Sequence, residues 1–273
     1  LFKFTLVLLL VLNFSKLSFA SEDVLEDANL YTVKFRTSVD RPFTEDKNAG
    51  LRKGSGFLVN KEKGLILTNA HVTGRSKSKV RVAFKNHGFA PVKQVYVDPR
   101  IDIAIVQINP FLIPKESKEA KLKCDGQVPS GTSVAAFGHP KGLSFSASRG
   151  IVSKYRFFQG RDVIQTDTPI NKGNSGGPLI DMNTGLVIGI NKSSYTKSNG
   201  LSFAVPSKNV CIILDLFNEG KNPSPINLPI RFAEDREAED YLKVGSFYHK
   251  GNNIEIGSSL IAVNDTEIKT PSE

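Results

Sequence analysis

KGNSGGPL, from Lys172 to Leu179, sets one serine among glycines. Gly173-Asn174-Ser175-Gly176-Gly177 satisfies the G-x-S-x-G pattern of a strand-to-helix nucleophile elbow. The same residues also suit a turn between two strands, with backbone amides converging on one point. The surroundings favour the second arrangement. An elbow serine leads into a helix and precedes its histidine in the chain. Here Pro178-Leu-Ile-Asp181 reads as a strand and turn, and His249 is the only histidine after Ser175.

Outward from that turn the chain is a series of short strands. Leu30 to Ser38 reads as a strand, and Gly56–Asn60 with Gly64–Thr68 as a hairpin around Lys61-Glu-Lys63. Val80–Phe84, Val92–Val97 and Ile101–Ile108 follow. After a lysine-rich connector come Thr132–Phe137, Ser146–Ser153, Asp162–Asp167, Leu186–Asn191 and Leu201–Val205. Many short strands with Gly and Pro between them predict an all-β sandwich or barrel architecture. They fall into two groups of about six, divided near Pro114–Lys123. Val210, Ile212, Ile213, Leu216 and Phe217 then recur at helical spacing until Gly220. Asn222 to Pro229 is a stiff, proline-rich linker.

A serine hydroxyl is a weak nucleophile and needs a base within hydrogen-bond reach. Of the histidines before Ser175, His87 and His139 lie in glycine or proline turns. His71 ends an apolar strand, in Thr68-Asn-Ala-His-Val72. The imidazole in turn needs a carboxylate to hold its tautomer. Asp102 lies between Ile101 and Ile103, where a carboxylate is expensive to bury without a partner. Asp98, before a proline, reads as turn chemistry, and Asp167 as a structural hydrogen-bonding residue. The order His71, Asp102, Ser175 therefore defines a candidate catalytic triad. Gly173 lets the amides of Gly173 and Ser175 point at one spot, an oxyanion hole with Asn174 between them. Gly176 and Gly177 leave room for the turn and for substrate. A purely structural glycine turn is the alternative, and the ordered His71 and Asp102 weigh against it.

Leu1 to Ala20 stands apart. Lys3 precedes the apolar run Phe4–Leu12, and Ser18-Phe19-Ala20 supplies small residues for a cleavage site, the layout of a secretory signal peptide. The run is short for a membrane span of about 20 residues; an uncleaved anchor is the alternative. Cleavage is expected between Ala20 and Ser21, with no stable membrane insertion afterwards. Loss of Lys3 and Lys16 with that segment lowers the formal charge from +9 to +7. The basic clusters, Arg75–Lys79 and Lys115–Lys123, carry no interleaved aromatics and read as solvated loops, so no nucleic-acid partner is expected. Cys124 and Cys211 are the only cysteines. Export permits a disulfide, and the sequence leaves open whether they meet. No spacing suits a zinc site. Neither a metal nor a cofactor is expected.

Six blocks in order carry a resemblance: Gly54-Ser-Gly-Phe57, Thr68-Asn-Ala-His-Val72, Asp102-Ile-Ala-Ile-Val106, Gln165-Thr-Asp-Thr-Pro-Ile-Asn171, Gly173-Asn-Ser-Gly-Gly-Pro-Leu179 and Phe203-Ala-Val-Pro206. Together they resemble the HtrA/Deg family of trypsin-like serine proteases, over about Leu30 to Phe217. The resemblance implies an all-β, chymotrypsin-like fold of two six-stranded antiparallel barrels with the site between them. His71 becomes the general base, Asp102 its orienter and Ser175 the nucleophile. It divides the chain into a signal peptide (1–20) and a protease domain (29–218). Within the latter lie barrel one (about 29–112), barrel two (about 122–205) and a helix (206–218). A linker (219–238) and an incomplete PDZ-like segment (239–273) follow.

That last segment is similar to the opening of a PDZ domain through Tyr241-Leu-Lys-Val244 and Ile254 to Asn264, but Lys243, Ser258 and Asn264-Asp265 depart from the usual pattern. At about 35 residues it is short for a working domain. The family implies an exported, ATP-independent endopeptidase of protein quality control, periplasmic if bacterial. It also implies unfolded or misfolded proteins as substrates and a homotrimer or larger multiple. Ile170, Asn191, Lys192 and Ser194 are the expected substrate-binding residues. With no acid at Pro169, beside Ile170, small or medium aliphatic side chains are expected before the cut and Lys or Arg disfavoured. Lys192 either makes the pocket more polar or extends to solvent. A holdase chaperone or a peptide-binding scaffold with little proteolysis is the alternative function.

Overall fold

A run of helical spacing precedes the first strand. Val24, Leu25, Ala28 and Tyr31 share one face, and residues 23–31 form helix α1, with Ala28 and Tyr31 buried. Leu30 and Tyr31, assigned to a strand from sequence, instead end this helix. The computed structural model describes residues 23–42, 49–74, 76–139, 145–157, 161–192, 201–221, 223, 230–232, 244–247, 255–263 and 266–267. The expected signal peptide, most of the linker and much of the PDZ-like segment lie outside the described residues.

The first group of strands is β1 (Thr32–Val39), β2 (Gly50–Asn60), β3 (Leu65–Thr68), β4 (Lys79–Ala83), β5 (Ala90–Asp98) and β6 (Ile103–Ile108). The single-turn helix α2 (Ala70–Thr73) follows β3. These strands close into a barrel in the order β1-β2-β3-β6-β5-β4, with β4 pairing back onto β1. The second group is β7 (Ser133–Gly138), β8 (Ser146–Phe157), β9 (Asp162–Thr166), β10 (Pro178–Asp181), β11 (Val187–Lys192) and β12 (Ser202–Pro206). It closes in the order β10-β11-β12-β9-β8-β7. Every pairing is antiparallel. Closure gives each inner strand a partner on both sides and leaves no sheet edge for a stray strand. The expected two-barrel, all-β fold is borne out.

The larger apolar cluster fills the first barrel around Phe35, Phe57, Ile66 and Ile105. It continues through Phe137 and Ile190 to the helix α3 (Ser207–Asn218). A smaller cluster around Ile164, Leu179 and Ile188 fills the second barrel. On α3, Val210 and Ile213 face the core, whereas Ile212 is 46% exposed. The barrels are therefore packed together rather than tethered.

Cys124, in the connector between the barrels, is bonded to Cys211 on α3. Backbone pairing supports the same junction: Lys123 N–H donates to Val187 O at 2.9 Å, and Val187 N–H to Lys121 O at 2.8 Å. Further along, Ile230–Phe232, placed in the linker from sequence, is a strand (β13) paired with Val244–Phe247 (β14). Ala262–Val263 (β15) pairs with Thr266–Glu267 (β16).

The disulfide closes a separation of 87 residues, so it restricts the unfolded chain strongly. A Cys124→Ser, Cys211→Ser double variant is expected to lose about 2–4 kcal/mol of unfolding free energy in urea titration. An unchanged midpoint and slope would show that backbone pairing alone secures the connector.

Candidate active site

The site is assembled from turns at the ends of buried strands. His71 lies on α2, directly after β3, above the buried Val72. Its side chain is 44% exposed, while that of Asp102 is 7% exposed. Sequence reading put Asp102 inside a strand. It lies instead in the turn before β6, in the left-handed region with φ +62°. Asp and Asn tolerate that region better than most residues, and its use by a non-glycine stores strain. The turn is closed by Asp98, whose Oδ1 accepts from Arg100 N–H at 2.8 Å. Asn69 holds the far side, its Nδ2 donating to Asp102 O at 2.9 Å.

The bend turns the carboxylate onto His71. Asp102 Oδ1 and Oδ2 lie 3.1 and 3.0 Å from His71 Nδ1, and Oδ1 also accepts the His71 backbone N–H at 3.1 Å. The ring proton therefore sits on Nδ1, and Nε2 is left as the proton acceptor. Burial pushes the Asp102 carboxyl up. The His71 hydrogen bond and the charges of His71 and Lys192 outweigh it, so the group ends below the ordinary carboxylate range.

Ser175 comes from the turn between β9 and β10 and meets the first barrel through backbone. Ser55 N–H donates to Ser175 O at 2.8 Å, and Ser55 Oγ to Gly173 O at 2.7 Å. Gly176 has φ +86°, and a Cβ there would lie 2.2 Å from both Ser55 O and Thr68 Oγ1. That glycine admits the neighbouring barrel rather than substrate. Gly173 also takes a positive φ, +108°. The Asn174 N–H donates to Asn171 O at 3.0 Å, which uses it inside the turn. The expected oxyanion donors thus narrow to the amides of Gly173 and Ser175.

Other expected residues have different tasks. Ile170 is 3% exposed within the core of the second barrel. Asn191 is buried, and its Nδ2 donates to Pro178 O at 2.8 Å. Its backbone exchanges 2.8 Å bonds with Gly176 and Gly177. Asn191 is therefore a clamp on the serine turn and not a pocket wall, because its amide donor is spent on the barrel. Lys192 does not extend freely to solvent: its Nζ lies 3.7 Å from Asp102 Oδ2. Ser194 lies outside the described residues. Asp167 has the structural role read from sequence, accepting Ile151 N–H at 2.7 Å. Sequence reasoning assigned no role to Ser55, Asn69 or Thr68. The signal was the Gly-Ser-Gly spacing within a strand, which marks close backbone approach.

Beside the serine turn lies a second histidine. His139 is buried and stacks edge-on to Phe145 with ring centroids 4.3 Å apart. Ser55 Oγ, already donating to Gly173 O, accepts from His139 N–H at 3.1 Å and lies 3.0 Å from His139 Nδ1. A hydroxyl has one proton, so Nδ1 must be the donor and Nε2 is bare. Nε2 is buried with no partner among the described residues. Burial, with a smaller contribution from the Lys34 charge, lowers the His139 pKa to about 3.

A His–Asp pair on one six-stranded barrel, with a glycine-flanked serine turn of the other barrel bonded to the first through Ser55, is the arrangement of a trypsin-like serine peptidase domain. The family model described as "Trypsin-like peptidase domain" matches residues 54–190, half of the chain, and the chain belongs to that family. It is 35% identical over 181 residues to a "Probable periplasmic serine endoprotease DegP-like" of Pseudomonas putida (strain W619), covering 64% of this chain and 36% of that protein. It is 38% identical over 199 residues to "Protease Do-like 1, chloroplastic" of Arabidopsis thaliana, covering 68% of this chain and 44% of that protein. The chain thus spans about a third to under half of these relatives. Among solved structures, "HtrA-type protease AlgW with tripeptide" superposes with a TM-score of 0.69 at 23% identity, covering 92% of this chain and 85% of that one. The HtrA/Deg resemblance of the motif blocks is borne out.

Neutral burial of His139 has a signed consequence. With a folded pKa of about 3 against 6.5 unfolded, the unfolded state takes up the proton first, and stability falls as pH drops below 6.5. At pH 5 this amounts to about 2 kcal/mol. Between pH 7.5 and 5, the parent is expected to lose about 2 kcal/mol more unfolding free energy than His139→Asn. Equal losses in urea titration would mean that the folded protein accepts the proton.

Proposed function

We propose that the chain is an exported serine endopeptidase that cleaves unfolded or damaged proteins through an acyl-enzyme intermediate. The observation that carries this reading is the two-oxygen contact of Asp102 with His71 Nδ1, at 3.0 and 3.1 Å, beside a half-exposed imidazole. In the proposed reaction, Ser175 Oγ attacks the scissile carbonyl carbon as its proton passes to His71 Nε2. Asp102 steadies the imidazolium, and the amides of Gly173 and Ser175 receive the oxyanion. His71 returns the proton to the leaving amine. A water molecule, deprotonated by the same nitrogen, then hydrolyses the ester.

Export and a periplasmic location are supported by the name of the Pseudomonas relative and by the signal-like layout of Leu1–Ala20. A trimer or larger multiple, and a PDZ-like domain after the protease, rest on the HtrA/Deg resemblance. A preference for Val, Ile or Ala before the cut is proposed because Thr168 to Asn171 hold no acid. A cationic side chain entering there would lose hydration without a partner.

Casein degradation tests the reading. Ser175→Ala and His71→Ala are each expected to reduce turnover by more than about 100-fold with the fold retained. Binding of casein by the parent without cleavage would instead establish a holdase. Product sequencing is expected to show cuts after aliphatic residues, and cuts mainly after Lys or Arg would overturn the proposed preference.

A further inference from the structure

Lys192 is the last residue of β11, paired with Phe203 of β12, and its side chain is only 25% exposed. Its ammonium lies 3.7 Å from Asp102 Oδ2, the oxygen that is also 3.0 Å from His71 Nδ1. One carboxylate on the first barrel therefore serves an imidazole on its own barrel and a cation from the other. Around Lys192 the interacting charged groups among the described residues are Asp102, from the turn before β6, and Arg161, just before β9. His71 faces the same carboxylate from α2.

We propose that Lys192 is a positioning residue of the catalytic pair, which offsets part of the Asp102 charge and thereby sets the acid limb of the activity profile. This rests on the serine-peptidase reading. The chemistry follows from charge alone. When His71 accepts a proton it becomes a second cation on a carboxylate that already faces an ammonium. The ammonium opposes that protonation in the resting enzyme, which keeps the base available at lower pH. The same repulsion acts on the imidazolium formed during attack, so Lys192 extends the acid range while restraining the rate at neutral pH. Burial favours the uncharged form of Lys192, Arg161 acts in the same direction, and the Asp102 charge works against both. Asp102 is the carboxylate partner of the ammonium, and the balance leaves the Lys192 pKa below the ordinary lysine range.

The test uses a small serine-directed phosphonylating reagent, which needs no client protein and no occupied side-chain pocket. Its second-order rate of labelling Ser175 is followed against pH in the parent, Lys192→Met, Lys192→Gln and Lys192→Arg. The neutral variants are expected to move the acid midpoint up by about 0.5–1 pH unit. They are also expected to raise the plateau rate, while Lys192→Arg keeps the parent midpoint. An unmoved or lowered midpoint in the neutral variants overturns the proposal, whether or not their rate or casein cleavage pattern changes. Failure of both neutral variants to fold overturns it too, since Lys192 would then serve the fold. A parent that is not labelled at Ser175 overturns the peptidase reading itself, a result distinct from a labelled parent with unmoved variants.

Discussion

The site depends on the backbone of Ser55. Its N–H donates to Ser175 O at 2.8 Å, its carbonyl accepts Thr68 Oγ1 at 2.7 Å, and its hydroxyl donates to Gly173 O at 2.7 Å. Ser55 lies on β2 of the first barrel, and Ser175 and Gly173 belong to the second. Two closed barrels have no free edge with which to pair. They are joined here through a strand interior and a turn, and the proposed catalytic groups lie on either side of that seam. Gly54, Gly138 and Gly176 line it, which is why side chains do not hold the barrels apart there.

Polar atoms near the seam are not all satisfied. Both side-chain atoms of Asn174, Oδ1 of Asn191 and Nε2 of His139 are buried with no hydrogen-bond partner among the described residues. Each such atom is typically worth about 1–3 kcal/mol of lost solvation. Asp102, in the left-handed region, adds backbone strain on the other barrel. The two apolar clusters and the disulfide offset this locally unfavourable region. The price of placing a charged pair and a reactive turn between two cores is concentrated in these few residues.

Strand positions were largely legible because alternation and glycine punctuation act locally. Gly56–Asn60 and Gly64–Thr68 read as a hairpin and pair as β2 and β3. The candidate triad was legible by chain order, since the Ser175 turn, His71 and Asp102 each have a distinctive neighbourhood. What local pattern concealed was direction. Asp102 between two isoleucines looks like a strand residue, yet its φ of +62° turns it out of the strand. The resemblance places Asn191 in the pocket, yet its Nδ2 donates to Pro178 O. The partnership of Ser55 with Gly173 spans 118 residues, and no local signal carries a contact of that separation. The helical face of Val24, Leu25, Ala28 and Tyr31 was readable and was masked by the strand-like residues after it.

The barrel seam also decides how charge is shared at the site. In an isolated His–Asp pair the carboxylate is wholly available to the imidazole, which favours the protonated base. Here the end of β11 brings a second cation to the same carboxylate, 3.7 Å from Oδ2. A buried carboxylate with one cationic partner and a second titrating one has two charge states, and the total is smaller when the imidazole is neutral. Asn191, one residue before Lys192, is pinned to the serine turn through Gly176 and Gly177. The clamp that holds the nucleophile in place thus also aims the cation at the base's partner, and a displacement of β11 would disturb both together.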